Sequence, residues 1–225
     1  MKGCLTKKRL RHISGRYKTV LLQMAIDRVS VSEAENIISL TNGKVDIVEI
    51  GTSLIKDFGV ADSVGFLKKR FPKQVILADL KTIDEGEYEF HQVFDAGADI
   101  ATVMGAASYA TIRACQKTTR ERQREYMIDL LGLDAEEIRA LAVFDDAIFC
   151  LHLPSDCTGA GLIEMIQQGK ESLAGVRRIA AAGGVGLETI PFFKSSGIEI
   201  AIVGSAITKS ADIAKSVADF KKAID

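Results

Sequence analysis

The sequence predicts a (β/α)8 barrel, on three observations. Eight short, β-branched apolar runs recur along the chain. An amphipathic stretch of roughly a dozen residues, long enough for a helix, follows each of them. The length, 225 residues, suits one domain of this kind. Strands alternating with helices imply βαβ units and a parallel sheet. Eight such units in this length favour a closed barrel over an open doubly wound sheet. No Gly-x-Gly-x-x-Gly follows the first strand, and Gly183-Gly184-Val185-Gly186 comes too late with the wrong spacing, which argues against a dinucleotide-binding fold.

Each element has its own warrant. The first strand is expected over 20–26, and Ser30 or Ser32 can cap a helix over 32–40. The second run, 45–50, precedes an amphipathic stretch at 61–70, and the third, 75–80, precedes one at 85–96. Gly97 then reads as a helix C-cap leading straight into a strand at 100–104. Ser108 caps the helix predicted over 109–122, and Asp134 the one over 135–143 after the strand at 126–131. Strand 147–151 is followed by helix 161–172, and strand 178–182 by helix 187–195. Gly197 repeats the glycine C-cap before the last strand, 198–203, and helix 213–224 closes the chain.

Composition narrows the function. Apolar residues make up 47% and charged residues 26%, ordinary for a water-soluble globular protein. The net charge of −1 supplies no field that favours nucleic acid or an anionic membrane, so neither is an expected partner. No apolar run is long enough to span a bilayer. Cys4, Cys115, Cys150 and Cys157 lack CxxC spacing and read as reduced thiols, so a cytoplasmic location is expected. Residues 1–18 form a basic extension set apart from the catalytic domain at 19–225. Lys2, Lys7, Lys8, Arg9, Arg11, Arg16 and Lys18 all precede the first acid, Asp27. That segment reads as a solvated tail or an over-extended start, with a targeting or nucleic-acid role as the alternative.

In such a barrel the active site lies at the C-terminal ends of the strands. Polar residues expected there are Asp27 after strand 1, Glu49 in strand 2, Asp79 and Lys81 at strand 3 and His152 after strand 6. Asp79 and Lys81, two apart, should share a face and enter one cavity, with Asp84 following in the next loop. An acid–lysine–acid group keeps the ammonium charged and can set it beside a developing oxyanion. Its other reading is a surface ion-pair cluster. Glu49 and Asp79, expected at equal height on neighbouring strands, suit Mg²⁺, although a structural hydrogen-bonding role for Glu49 stays open. His152 is placed for proton transfer near neutral pH, or else is structural. Gly183, Gly184, Gly204 and Ser205, at the ends of strands 7 and 8, allow backbone N–H groups to approach a phosphate, or simply make tight turns.

The Asp79-Leu80-Lys81-Thr82-Ile83-Asp84 segment resembles the Asp-x-Lys-x-x-Asp mark of the orotidine 5′-monophosphate decarboxylase superfamily. Within it, the likeness is greatest to the 3-hexulose-6-phosphate synthases. It rests on 22–27 (LQMAID), 49–52 (EIGT), 79–89 (DLKTIDEGEYE), 182–184 (AGG) and 203–208 (VGSAIT), and spans about residues 21–225. The resemblance implies Mg²⁺-dependent aldol addition of formaldehyde to D-ribulose 5-phosphate through an enediolate. It further implies Glu49 and Asp79 at the metal, Lys81 beside the enediolate oxygens, and His152 moving protons. Asp27 joins the catalytic set and Asp156 the substrate loop. The phosphorylated ketose would bind a homodimer, with Asp84 reaching into the neighbouring subunit's site.

A sibling family, the 3-keto-L-gulonate-6-phosphate decarboxylases, also forms an enediolate. Its usual arginine after the strand-6 histidine is replaced here by Ser155, and its Gly-Arg-Ala in the last loop by Gly204-Ser205-Ala206. Serine cannot supply a bidentate fork for a carboxylate, which favours the synthase reading. Pro154 and Thr158 depart from the synthases' usual His-x-Gly-x-Asp-x-Gln, so the loop after His152 is expected to have its own shape. The decarboxylase remains one alternative, and a non-catalytic sugar-phosphate-binding protein another.

Overall fold

A computed structural model describes residues 20–41, 43–154 and 161–225. Eight parallel strands pair in sequence order, and the last pairs with the first: β1 (Leu21–Ile26), β2 (Ile47–Ile50), β3 (Val75–Thr82), β4 (Ile100–Met104), β5 (Glu125–Asp129), β6 (Ile148–His152), β7 (Ile179–Ala182) and β8 (Ile200–Val203). Each strand is covered on both faces, which is why the runs read as almost continuously apolar instead of alternating. Inward residues such as Leu21, Leu77, Ile100, Met127, Ile148 and Ile200 fill the barrel. Outward residues such as Leu22, Val48, Ile76 and Phe149 belong to a second, larger core beneath the helices.

The helices are α1 (Val31–Thr41), α2 (Thr52–Val60), α3 (Phe66–Arg70), α4 (Gly86–Asp95), α5 (Tyr109–Arg122), α6 (Ala135–Leu141), α7 (Leu162–Ser172), α8 (Ile190–Ser196), α9 (Ser205–Thr208) and α10 (Ile213–Ile224). Their ends follow the expected caps. Ser30 Oγ accepts from Glu33 N at 3.2 Å, Ser108 accepts from Thr111 N, and Asp134 with Glu137 forms a capping box. Gly97 and Gly197 sit at φ 102° and 74°, the left-handed conformation that ends a helix most cheaply with glycine.

Four differences from the sequence reading have local causes. The helical segment after β2 starts at Thr52, nine residues before the expected 61, because Gly59 (φ 76°, ψ 166°) and a π-helical turn at Ala61–Gly65 break its apolar period. The helix expected over 135–143 ends at Leu141, leaving Val143 exposed. A 3-10 turn (Leu187–Thr189) leads into α8, and α9 adds a short helix that the sequence did not suggest. β3 continues to Thr82, two residues beyond the apolar run, and these extra residues carry the site.

The two ends of the barrel differ in chemistry. At the N-terminal end, Arg178 joins Glu125 (3.0 Å) and Glu199 (2.9 Å), while Asp99 takes Lys68 (2.6 Å) and Arg124 (2.7 Å). These closed ion pairs belong to the stabilising face. At the opposite end the charges converge on one another from different strands. Among the described residues no helix is long and apolar enough to cross a membrane.

Candidate active site

β3 supplies the centre. Ala78 pairs with Ala101 but Thr82 pairs with Val103, so four steps along β3 match two along β4. This bulge puts Lys81 at φ 52°, a conformation that costs a non-glycine residue roughly 1–2 kcal/mol. Thr102 on β4 compensates locally: its Oγ1 accepts from Lys81 N at 2.9 Å and donates to Asp79 Oδ1 at 2.9 Å. Asp79 and Lys81 therefore meet as expected, through a bulge in place of a regular strand.

The Lys81 ammonium lies 2.9 and 3.2 Å from the two Asp79 oxygens and 3.0 Å from Asp129 Oδ2. Asp129 Oδ2 also meets His152 Nδ1 at 2.9 Å, and its Oδ1 accepts from Leu131 N at 3.0 Å. Thr52 Oγ1 donates to Asp79 Oδ2 at 2.8 Å. Asp79 is 5%, Glu49 8% and Asp129 3% exposed, so these carboxylates need their partners. Burial favours a neutral Lys81, but Asp79 and then Asp129 outweigh it and hold the ammonium protonated. Burial likewise raises Asp129, yet the His152 hydrogen bond and charge, with Lys81, bring its carboxyl below the usual range. With Asp129 ionised and able only to accept, His152 Nδ1 must donate, and Nε2 is left for a substrate.

Glu49 differs. The register pairs it with Leu77, and Asp79 is the next inward residue along β3. Glu49 and Asp79 are close enough to interact. Burial, then the charge of Asp79, pushes the Glu49 carboxyl up to about 8, and the Gln23 hydrogen bond (2.6 Å) and Lys81 offset only part of that. Gln23 Oε1 is buried without a partner. Oxygen donors held together at this cost fit a hard divalent cation, and Glu49 and Asp79 are the residues that would hold it.

Asp27 is exposed and lies at the rim, its Oδ1 accepting from Ser53 N (3.2 Å) and Ser53 Oγ (2.8 Å). Gly51 packs beneath it: a Cβ there would sit 2.2 Å from the Asp27 carboxyl and displace it from Ser53. Asp84 is exposed and accepts from Glu85 N at 2.8 Å, away from the cluster. Gly183 (φ 92°) and Gly184 (φ 69°) follow β7 beside Gly204 and Ser205 after β8. Gly183 has a packing reason, because a Cβ would strike the Leu153 carbonyl at 2.1 Å. Gly184 faces open space, as an anion cradle requires. Ser155, Asp156 and Thr158, like the basic segment at 1–18, lie outside the described residues.

Asp129 was missed because it sits inside 126–131, which reads as uninterrupted strand. β5 in fact ends at Asp129, and the rule applied to Asp79, an acid at the C-terminal end of a buried strand, would have found it. Thr102 has no comparable signal, since hydroxyls are common in strands, whereas Gln23 and Thr52 fall inside the 22–27 and 49–52 segments that carry the resemblance.

A family model described as orotidine 5′-phosphate decarboxylase / HUMPS family matches residues 21–220. The chain belongs to this family. It is 34% identical over 210 residues to a 3-hexulose-6-phosphate synthase of Bacillus subtilis (strain 168), covering 90% of this chain and 98% of the relative. A crystal structure of a 3-hexulose-6-phosphate synthase superposes with a TM-score of 0.85 at 32% identity, over 92% of this chain and 100% of that one. A 3-keto-L-gulonate-6-phosphate decarboxylase from Vibrio cholerae O1 gives 0.82 at 26%, over 92% and 98%. The orotidine 5′-phosphate decarboxylase/HUMPS fold thus underlies both reactions, and this member is an enzyme of the lyase type.

Glu49 gives a pH signature. Its proton is held up to about pH 8 in the fold but leaves near 4.5 once the chain unfolds. Across that window the unfolded state binds fewer protons, so stability falls as pH rises. The melting temperature of EDTA-treated protein is expected to fall between about pH 5 and pH 8 more steeply than that of Glu49→Gln. Parallel profiles would contradict the shift.

Proposed function

We propose that the enzyme adds formaldehyde to D-ribulose 5-phosphate, reversibly, to give 3-hexulose 6-phosphate through an enediolate. The observation that carries this reading is the chain Asp79–Lys81–Asp129–His152: a fixed cation beside a histidine already oriented by a carboxylate. His152 Nε2 takes a proton from C1 of the ketose. Lys81 stands beside the enediolate oxygens as charge builds on them, where fixed electrostatics are worth most. The C1 carbanion then attacks formaldehyde, and the new alkoxide takes up a proton. Backbone N–H groups around Gly183, Gly184, Gly204 and Ser205 hold the phosphate. A Mg²⁺ ion at Glu49 and Asp79 would supply Lewis-acid polarisation of the ketose oxygens.

The synthase relative matched over nearly its full length supports the choice of substrate. With Mg²⁺, formaldehyde and ribulose 5-phosphate the enzyme is expected to form a phosphohexulose, followed by NMR. Turnover confined to 3-keto-L-gulonate 6-phosphate would replace this substrate with the sibling's. Turnover of neither would favour a binding protein.

The same reading makes the enzyme a homodimer with shared sites. Asp84 does not reach its own cluster, and exposed Ile83 and Tyr88 flank it, as an interface segment would. Mixed and re-equilibrated Lys81→Ala and Asp84→Ala subunits should recover about a quarter of wild-type activity, since half the dimers then carry one intact site. No recovery from subunits shown to exchange would place Asp84 outside the partner's site.

A further inference from the structure

Cys150 takes no part in the chemistry above, yet its thiol lies just below the site. It follows Met127 and Ile148 in the inner packing of the barrel and is buried. It is two residues before His152 on β6, so both side chains point inward, and β6 pairs Cys150 with Asp129 on β5. One ligand atom from each of Asp129, Cys150 and His152 lies within 4.8 Å of the other two.

We infer that Asp129, Cys150 and His152 form a binding site for a borderline-soft divalent metal ion such as Zn²⁺, separate from the Glu49 and Asp79 pair. The donor set argues for that class of ion. Thiolate and imidazole suit zinc or cobalt, whereas Mg²⁺ takes oxygen ligands and does not compete for sulfur. Three protein ligands of mixed type leave a fourth position open to water, the pattern of an accessible zinc site. Closing on an ion requires the three donor atoms to draw together modestly, to the metal–ligand lengths of about 2.0–2.3 Å. Lys81 is the cation that must yield at Asp129, and it keeps Asp79 as a partner at 2.9 Å.

Binding replaces the Cys150 thiol proton, which leaves to solvent, by a sulfur–metal bond. Burial keeps that thiol neutral in the absence of such an ion, so Cys150 is inert during ordinary turnover. The consequence is inhibition. An imidazole held by a metal no longer carries a proton, and Asp129 no longer orients it. The inhibition, though not the binding, rests on His152 acting in the proposed reaction.

Cobalt is the probe, because a thiolate ligand gives Co²⁺ a near-ultraviolet charge-transfer band that needs no turnover to be read. Titrated with Co²⁺ in excess Mg²⁺, wild type should develop this band, and Cys150→Ser and Cys150→Ala should not. Both variants should keep basal turnover. The Zn²⁺ concentration that halves wild-type activity should rise in them by at least about tenfold, the lower bound for losing even a ligand's supporting partner. No band in wild type, or an undiminished band in a folded Cys150 variant, overturns the site. A band that disappears in the variants, in a protein inactive on ribulose 5-phosphate, would uphold the site and sink the reaction instead.

Discussion

The Lys81 ammonium held between Asp79 and Asp129 is the interaction on which the rest of the site depends. Two buried carboxylates from non-adjacent strands converge on one cation, at 2.9 Å and 3.0 Å. Without it they would repel each other in a poorly solvated barrel mouth, and breaking such a buried pair costs about 3–5 kcal/mol. The arrangement also fixes His152, because the Asp129 oxygen that meets Lys81 is the one that meets Nδ1. One cation thus bridges the two acids, and one of those acids orients the histidine.

The barrel provides this at little conformational cost. Strands packed on both faces leave few inward positions for polar groups, and those fall where the strands end. The β3 bulge is the local exception. It holds Lys81 in a left-handed conformation, and the Thr102 hydroxyl on the neighbouring strand ties the displaced backbone back to Asp79. Strain of this kind persists only where surrounding contacts over-determine it, and it concentrates at functional sites. At the opposite end the ion pairs around Arg178 and Asp99 close on themselves.

Much of this was legible in the residues. All eight strands were, because a buried parallel strand writes a continuous apolar run, and so were the caps at Ser30, Ser108, Asp134, Gly97 and Gly197, because each rests on one local hydrogen bond or one backbone angle. The start of α2 was not, since a π-turn and Gly59 disturb the period that reveals a helix. In the site, Asp79, Lys81, Glu49 and His152 announced themselves as charges at strand ends, and they do gather. Asp129 stayed hidden within an apparently longer strand. The pairing of Glu49 with Leu77 was not legible either, because register across a staggered barrel depends on pairing that no local pattern encodes.

The chemistry follows from electrostatics prepared before substrate arrives. Asp79 and Asp129 hold Lys81 cationic, and Asp129 meets both Lys81 and the imidazole, so in the proposed reaction one connected group would serve proton removal and charge stabilisation. This predicts enediolate formation without formaldehyde. The most direct measurement is NMR of ribulose 5-phosphate incubated with enzyme and Mg²⁺ in D2O. The account predicts that deuterium enters C1 with wild type and not with a Lys81→Met variant that still binds the phosphosugar. Exchange as fast in that variant as in wild type would contradict it.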